Sequence, residues 1–325
     1  MRARVPLVLQ GGSSCREGAL EKSPFMSRPH PGAIDYLLLL ALGAIWGSSF
    51  LIIKLAVATV PAATTTAARL AIAALIMYAV ARHAGQQLPR DLKVWRLIIL
   101  AALFGFALPF FLIGWGEEKI DSGLAAILMG AMPLTTVLLA HILTHDEKLN
   151  FRKGAGVTLG LIGLVVLIGP EKLATLGDDT VRQLAVTAAG ACYGVNAIIT
   201  KSLISEPRRA LVAAVMIAAT AMTIPAALIF DQPWSLDAST LSAASVVLLG
   251  VLPTAYATLL MFKLIDRQGA SFFSQINFLT PLFGVFLGAL ILAERPPPNA
   301  YAALAIILLG VAVARGRKPA SQASN

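Results

Sequence analysis

Residues 36–57 read YLLLLALGAIWGSSFLIIKLAV, and Lys54 is the only charged residue among them. A helix needs about 20 consecutive, mostly apolar residues to cross the hydrocarbon core of a bilayer. This stretch is long enough, and it is apolar on all sides, unlike a surface helix of a soluble protein. It therefore predicts a transmembrane helix, and similar long apolar stretches recur along the rest of the chain.

Nine further stretches of similar length and apolarity follow, separated by short joints that carry prolines and charges. The ten predicted spans are 36–57, 64–83, 94–115, 122–143, 153–170, 183–203, 209–230, 241–263, 270–292 and 298–315. The predicted fold class is an all-α integral membrane protein. Residues 1–35 and 317–325 are expected to be cytosolic tails, the first of them disordered. Met26 is an alternative start, which sequencing of the mature N-terminus would test.

The composition supports a membrane protein over a soluble one. Of the 325 residues, 57% are hydrophobic and 13% are charged, whereas soluble domains have roughly 45–50% and about 25%. The formal net charge is +9, but the cations lie between apolar runs and do not form a patch with interleaved aromatic residues. The lipid bilayer is therefore an expected partner, and nucleic acid is not.

The distribution of Lys and Arg predicts the orientation in the membrane. Of the 26 such residues, nineteen lie on the side that holds both termini, four on the other side, and three within spans. Lys and Arg accumulate in cytoplasmic loops. Both termini are therefore expected in the cytoplasm, with the chain in a bacterial-type plasma (inner) membrane.

The two halves of the chain resemble each other. Glu147, Gly163 and Gly169 have the same spacing as Glu294, Gly310 and Gly316. The repeats are predicted at 36–170 and 183–316, and five spans per repeat would insert the second copy upside down. Inverted repeats are common in secondary transporters, which bind their substrate where the copies meet.

These motifs resemble the EamA-type drug/metabolite transporter family. The stretches that carry the resemblance are GAIWGSSFLIIK (43–54), PAATTTAARLAIAAL (61–75), SGLAAILMGAMPL (122–134) with Glu147, and residues 270–294. The resemblance implies ten spans, no bound cofactor, a central cavity, and export or import of small metabolites. Pro296, Pro297 and Pro298 depart from the family pattern and should stiffen the last loop.

Candidate substrate-binding residues are the polar and aromatic side chains within predicted spans. They are Trp46, Arg69, Tyr193, Asn196, Tyr256, Gln275 and Asn277, with Phe110, Trp115 and Thr254 as further wall residues. Arg69 would attract a carboxylate or phosphate on an anionic or zwitterionic solute. The alternative for Arg69, and for Lys54, is that the long side chain carries its charge to the membrane interface. The alternative for the amides is hydrogen bonding between helices.

Two further features predict how the helices move and pack. Pro133 and Pro281 lie inside the fourth and ninth predicted spans, where each interrupts the backbone ladder, and they are candidate hinges; static kinks are the alternative. Gly156, Gly160 and Gly163 form a small-residue face. Such a face lets helices pack closely within the chain or in a homodimer; packing within the chain is the preferred interpretation.

The predicted function is a secondary transporter, and an exporter in direction, of small metabolites such as amino acids. A multidrug effluxer is the alternative, but no Asp or Glu lies in the middle of a predicted span to bind cationic drugs or protons. A membrane-embedded enzyme is a remote alternative because no catalytic motif is present. No residue spacing indicates a metal site, and Cys192 is expected to act as a small apolar residue.

Overall fold

The computed structural model describes residues 31–143, 150–169, 178–203 and 205–315, and the regular secondary structure within them is helical. Residues 1–30 and 317–325 of the predicted tails, and Glu147, lie outside the described residues. The α-helices are α1 (Ala33–Ala56), α2 (Ala62–His83), α3 (Leu92–Ala102), α4 (Leu108–Glu117), α5 (Ser122–Met129), α6 (Met132–Leu143), α7 (Phe151–Ile168), α8 (Asp178–Lys201), α9 (Arg208–Ala226), α10 (Thr240–Leu249), α11 (Ala257–Phe273), α12 (Ile276–Ile291) and α13 (Pro298–Arg315).

Eight helical stretches among the described residues are long and apolar enough to cross a membrane. They are Ala33–Ala56, Ala62–His83, Leu92–Glu117, Ser122–Ile142, Phe151–Ile168, Asp179–Lys201, Arg208–Asp231 and Thr240–Ala270, and the shorter apolar helices Ile276–Ile291 and Pro298–Ala314 follow. The chain is therefore an all-α, multi-pass membrane protein. That ten helices cross the bilayer as two inverted five-helix repeats stays a prediction.

Three π-helical segments among the described residues interrupt or end long helices. They are π1 (Leu103–Ala107), between α3 and α4; π2 (Ala227–Asp231), after α9; and π3 (Gly250–Tyr256), between α10 and α11. A proline lies in or next to each of them: Pro109, Pro225 and Pro253. Because proline lacks an N–H group, it removes a bond from the helical ladder and favours such local widening.

The helices that hold the predicted hinges are also interrupted. Residues 130 and 131 form a turn between α5 and α6, and residues 274 and 275 form a turn between α11 and α12. Within α11, Gly269 has φ 84° and ψ 171°, which breaks the helix there. This φ lies in the left-handed region, which glycine adopts without the steric cost of a side chain.

The predicted small-residue face of α7 packs within the chain. A Cβ atom added to Gly156 would lie 2.6 Å from the Cβ of Ala314 and 2.6 Å from the carbonyl oxygen of Gly310. Gly156 therefore lets the backbones of α7 and α13 approach closely. The preferred interpretation of this face, contact between helices of one chain, is confirmed.

Candidate substrate-binding site

Arg69 is buried between three helical elements. Its side chain starts from α2, and the residue is 6% exposed. The Nε atom donates a hydrogen bond of 2.7 Å to Oγ1 of Thr254 in π3. The guanidinium carbon lies 3.8 Å from the centre of the Phe110 ring in α4. The interpretation that Arg69 carries its charge to the membrane interface was wrong, because these two partners hold the side chain inside the bundle.

The π3 segment shapes this binding position. Thr254 donates its own Oγ1 hydrogen to the carbonyl oxygen of Leu249 at 2.7 Å, which orients the hydroxyl oxygen toward Arg69. A Cβ atom on Gly250 would lie 2.7 Å from the Cβ of Ile72 in α2. The glycine therefore permits the close contact between α2 and π3 that brings Thr254 within reach of Arg69.

Two further predicted residues lie near this position. Tyr193 in α8 is half-buried, and α8 packs against α4 and π1. Trp46 in α1 donates from Nε1 to the carbonyl oxygen of Pro253 at 3.1 Å, and its ring meets Phe273 edge to face. Trp46 therefore contacts the same π segment that supplies Thr254. Trp46 and Arg69 therefore both contact π3, Arg69 also contacts Phe110 of α4, and Tyr193 lies on a helix that packs against α4.

Asn196 lies against the other π segment of the candidate site. A Cβ atom on Gly105 in π1 would lie 2.7–2.9 Å from the amide atoms of Asn196. The Oδ1 atom of Asn196 is buried and has no hydrogen-bond partner among the described residues. No group among the described residues donates a hydrogen bond to this oxygen, so the alternative of hydrogen bonding between helices is not met at Oδ1.

The remaining predicted residues lie apart from Arg69. Tyr256 is 52% exposed, Gln275 is exposed in the turn before α12, and Asn277 is half-buried in the first turn of α12. Pro133 follows the break between α5 and α6, whereas Pro281 lies inside α12. These placements are not symmetric, and the hinge role of the two prolines stays a prediction.

Lys54 joins two helix ends. Its Nζ atom donates hydrogen bonds to the carbonyl oxygens of Glu117 (2.7 Å) and Ile120 (2.8 Å). Carbonyls at the C-terminal end of a helix lack partners within the helix, and a lysine there also interacts favourably with the helix dipole. Lys54 therefore fastens α1 to the end of α4.

A polar cluster that the sequence analysis did not identify surrounds this point. Helix α4 extends two residues beyond the predicted end at 115, so that Glu117 belongs to the helix and is fully buried. Glu294 accepts hydrogen bonds from the backbone N–H groups of Ser122 (2.8 Å) and Gly123 (2.9 Å) at the start of α5. Partial burial and the nearby Glu294 carboxylate raise the pKa of Asp121, while Lys54 lowers it.

One signal in the sequence points to this cluster. Glu117 and Glu118 are adjacent, and successive residues of a helix point about 100° apart. Glu118 reaches the nitrogen Nη1 of Arg182 at 2.9 Å, and the Arg182 guanidinium also stacks on Trp115. Because Glu118 points toward α8, Glu117 points about 100° away from it. The Glu117 side chain is fully buried, so this direction leads into the interior.

A large open cavity lies at another place in the bundle, at the ends of α2 and α11 and the start of α9. Its volume is about 1060 Å³, and none of the predicted site residues lines it. Its polar and charged lining residues are His83, Gln86, Arg208, Arg209, Lys263, Asp266 and Arg267. Arg208 pairs with Asp266. The excess of cations suits this cavity to anionic groups. In the described part of the chain, no three His, Cys, Asp or Glu residues are grouped to hold a metal ion.

The chain is similar to known proteins in both sequence and fold. The profile described as the EamA-like transporter family matches residues 33–169 and, separately, residues 182–316. A solved crystal structure aligns with a TM-score of 0.61 and 22% identity, covering 86% of this chain and 97% of the other, which supports the fold.

Several relatives have names that state a substrate, and two of them illustrate the substrates named. A probable terminal-alkyne amino-acid exporter from Streptantibioticus cattleyicolor is 26% identical over 82% of this chain and 88% of its own length. An S-adenosylmethionine/S-adenosylhomocysteine transporter from Chlamydia trachomatis serovar L2 is 24% identical over 82% of this chain and 84% of its own length.

Proposed function

Because the chain belongs to the EamA-like transporter family, we propose that it exports amino acids or closely related small metabolites by alternating access. The membrane transporter class follows from the family and from the apolar helices. The substrate class, the export direction and the mechanism are the proposal. A plasma-membrane location with both termini in the cytoplasm belongs to it as well, and the unequal distribution of Lys and Arg supports that location.

The observation that carries the proposal is the buried guanidinium of Arg69. Its Nε atom donates a hydrogen bond to Thr254, and no carboxylate forms an ion pair with Arg69 within the described residues. The flat guanidinium group can bind a carboxylate through two parallel hydrogen bonds. A charged group inside a membrane protein also marks a solute pathway more often than a structural contact. Arg69 therefore suits the carboxylate of a small zwitterion.

The substrates that the relatives' names state support the same class. An amino acid and S-adenosylmethionine share one chemical unit, an α-carbon that carries a carboxylate and an amine. Arg69 would bind the carboxylate of that unit. Phe110 and Trp46 supply apolar surface beside it, and Tyr193 supplies a hydroxyl group.

Counterflow into liposomes tests this proposal. Purified protein would be reconstituted in vesicles preloaded with unlabelled amino acids, and labelled amino acids or small organic anions would be added outside. We expect a labelled amino acid to accumulate, and we expect Arg69→Gln to abolish the accumulation. Correctly folded protein that accumulates none of these solutes would contradict the proposal.

A multidrug effluxer remains the second candidate function. The buried carboxyl group of Glu117 is the feature that favours it, because an acid within the membrane can bind a cationic compound. The cationic side chain of Arg69 disfavours it. Extrusion of a lipophilic cation by wild-type protein, with no counterflow of amino acids, would establish this second candidate.

A further inference from the structure

Glu117 has an environment that sets it apart from the other acidic residues with known contacts. It is 0% exposed, and neither of its carboxyl oxygens meets a hydrogen-bond partner in the described part of the chain. By contrast, Asp35 pairs with Arg267, Glu118 with Arg182, and Glu294 with two backbone N–H groups. An ionised carboxylate in such a place is costly unless it is paired and hydrogen-bonded.

The cations near Glu117 are engaged elsewhere. From α1, Lys54 donates to the carbonyl oxygens of Glu117 and Ile120. From α2, Arg69 donates to Thr254 and packs on Phe110. From α8, Arg182 pairs with Glu118. Both Lys54 and Arg69 interact electrostatically with Glu117, but neither forms an ion pair with its carboxyl group.

Other groups near Glu117 oppose a negative charge. Glu294, which precedes α13, interacts with it as a like charge. The π1 segment carries no ionisable side chain. Glu117 is also the last residue of α4, where the partial charge of the helix dipole is negative. A neutral carboxyl group fits this position, and a carboxylate does not.

We propose that Glu117 is a proton-binding site of the transport cycle, protonated in the described state and deprotonated when the helices rearrange and admit water. This inference rests on the proposed function. The chemical step is a single proton transfer: the carboxylate takes one proton from water and becomes neutral, and it returns that proton to water on the other side. Exchange of this proton for solute would couple transport to the proton gradient.

Infrared spectroscopy of the full-length purified chain tests the proton site without a substrate. Stepping the bulk pH from neutral, where exposed carboxyl groups are already ionised, to alkaline should remove the C=O stretching band of a protonated carboxyl group in wild-type protein. The same band should be absent from Glu117→Gln and retained in Glu118→Gln, the matched control at the neighbouring position. A wild-type protein without this band, or a Glu117→Gln protein that keeps it, would overturn the inference.

Transport in vesicles tests the coupling. The steady-state accumulation of the labelled amino-acid mixture would be measured with an imposed pH gradient and divided by the counterflow signal without one. We expect this ratio to rise several-fold in wild-type and Glu118→Gln protein and to stay at one in Glu117→Gln. Glu117→Asp, which restores an acid, should recover part of the effect.

The outcomes separate the two proposals. Wild-type counterflow that does not respond to the pH gradient would overturn the coupling and leave the proposed function intact. Wild-type protein without any counterflow would contradict the proposed function, and the infrared band would then decide whether Glu117 binds the proton. Size-exclusion chromatography of each variant shows that it is folded.

Discussion

The central carbon of the Arg69 guanidinium lies 3.8 Å from the centre of the Phe110 ring. A buried cation held on an aromatic face gains about 2 kcal/mol, because water no longer screens the attraction. This contact therefore does more than fill space: it keeps the charge of Arg69 inside the bundle.

Replacing Phe110 tests this contact. We expect Phe110→Leu to lower the stability of the purified protein by about 1–3 kcal/mol, because the cation loses its aromatic partner and the smaller side chain leaves a cavity. Phe110→Trp should retain most of the contact. Thermal unfolding in detergent measures the difference. Phe230→Leu is the control because Phe230 is 79% exposed, and an equal loss in that variant would contradict the explanation.

Arg69→Lys keeps the positive charge but removes the flat, two-pronged hydrogen-bonding group. Lysine is a compact ammonium and cannot bind a carboxylate through two parallel bonds. If Arg69 holds the solute carboxylate, KM for the transported amino acid should rise about tenfold, the equivalent of one lost charge-assisted hydrogen bond. Initial rates of counterflow measure KM. An unchanged KM, with the variant correctly folded, would exclude a two-pronged contact.

Gly105 is a position near the site where a single added methyl group should disturb the packing. A Cβ atom there would lie 2.7–2.9 Å from the Asn196 side chain, so we expect Gly105→Ala to cost about 1–3 kcal/mol through overpacking. Shortening the neighbour in Gly105→Ala with Asn196→Ala should recover much of this loss.

Gly154→Ala provides the matched control for Gly105→Ala. No atom lies within 4 Å of a Cβ added at Gly154, and the residue is in helix α7. Alanine is the better helix former, so this change should leave stability equal or slightly higher. Thermal unfolding of all three variants provides the comparison. Equal losses at positions 105 and 154 would show that contact with Asn196 is not the cause.

Glu294 should be important for stability because it satisfies two N–H groups at the start of α5. Glu294→Ala removes a charged cap, and we expect a loss of about 1–2 kcal/mol. Asp237→Ala, at an exposed position between π2 and α10, is the control and should change little. Thermal unfolding would decide. A Glu294→Ala protein as stable as wild type would show that water caps the helix equally well.

Asp121 predicts a pH dependence of stability. Its pKa is raised in the folded state, so its ionised form is a cost to folding at neutral pH. Asp121→Asn should therefore be more stable than wild type at neutral pH. Because the side chain is exposed and solvent screens it, the gain should be below about 1 kcal/mol.

Acidification should remove the difference in stability between wild-type protein and Asp121→Asn. As the pH falls through the raised pKa, folded wild-type protein takes up a proton and loses the penalty. The advantage of Asp121→Asn should therefore shrink and disappear below about pH 4, the ordinary range for aspartate. Unfolding midpoints of both proteins across this pH range measure it. A constant difference would exclude ionisation of Asp121 as the cause.

Much of the fold was predictable because the bilayer imposes a simple rule on sequence. Long apolar stretches locate the spans, and the described helices begin and end within a few residues of most predicted ones. The exceptions have local causes. The turn at residues 274 and 275 delays the start of α12 to Ile276, and hydropathy does not distinguish a short turn from the helix around it.

The site was less predictable because burial of a polar side chain depends on its partners in space. Arg69 could be identified as a charge within a span, but only Thr254 and Phe110 decide that it stays inside. Glu117 could not be identified by distance from the span centre, because two residues of extra helix and the direction of Glu118 place it in the interior.

The cap on α5 also sets an order in time. The N–H group of Ser122 donates to the carboxylate of Glu294, which lies 172 residues further along the chain. At about 5–20 residues synthesised per second, the ribosome needs roughly 10–30 s to supply it. During that interval the start of α5 has only water or lipid headgroups as partners. In a nascent chain that stops before Glu294, the first turn of α5 therefore lacks its cap. The loop that contains Glu294 is made late and completes a helix that was made early.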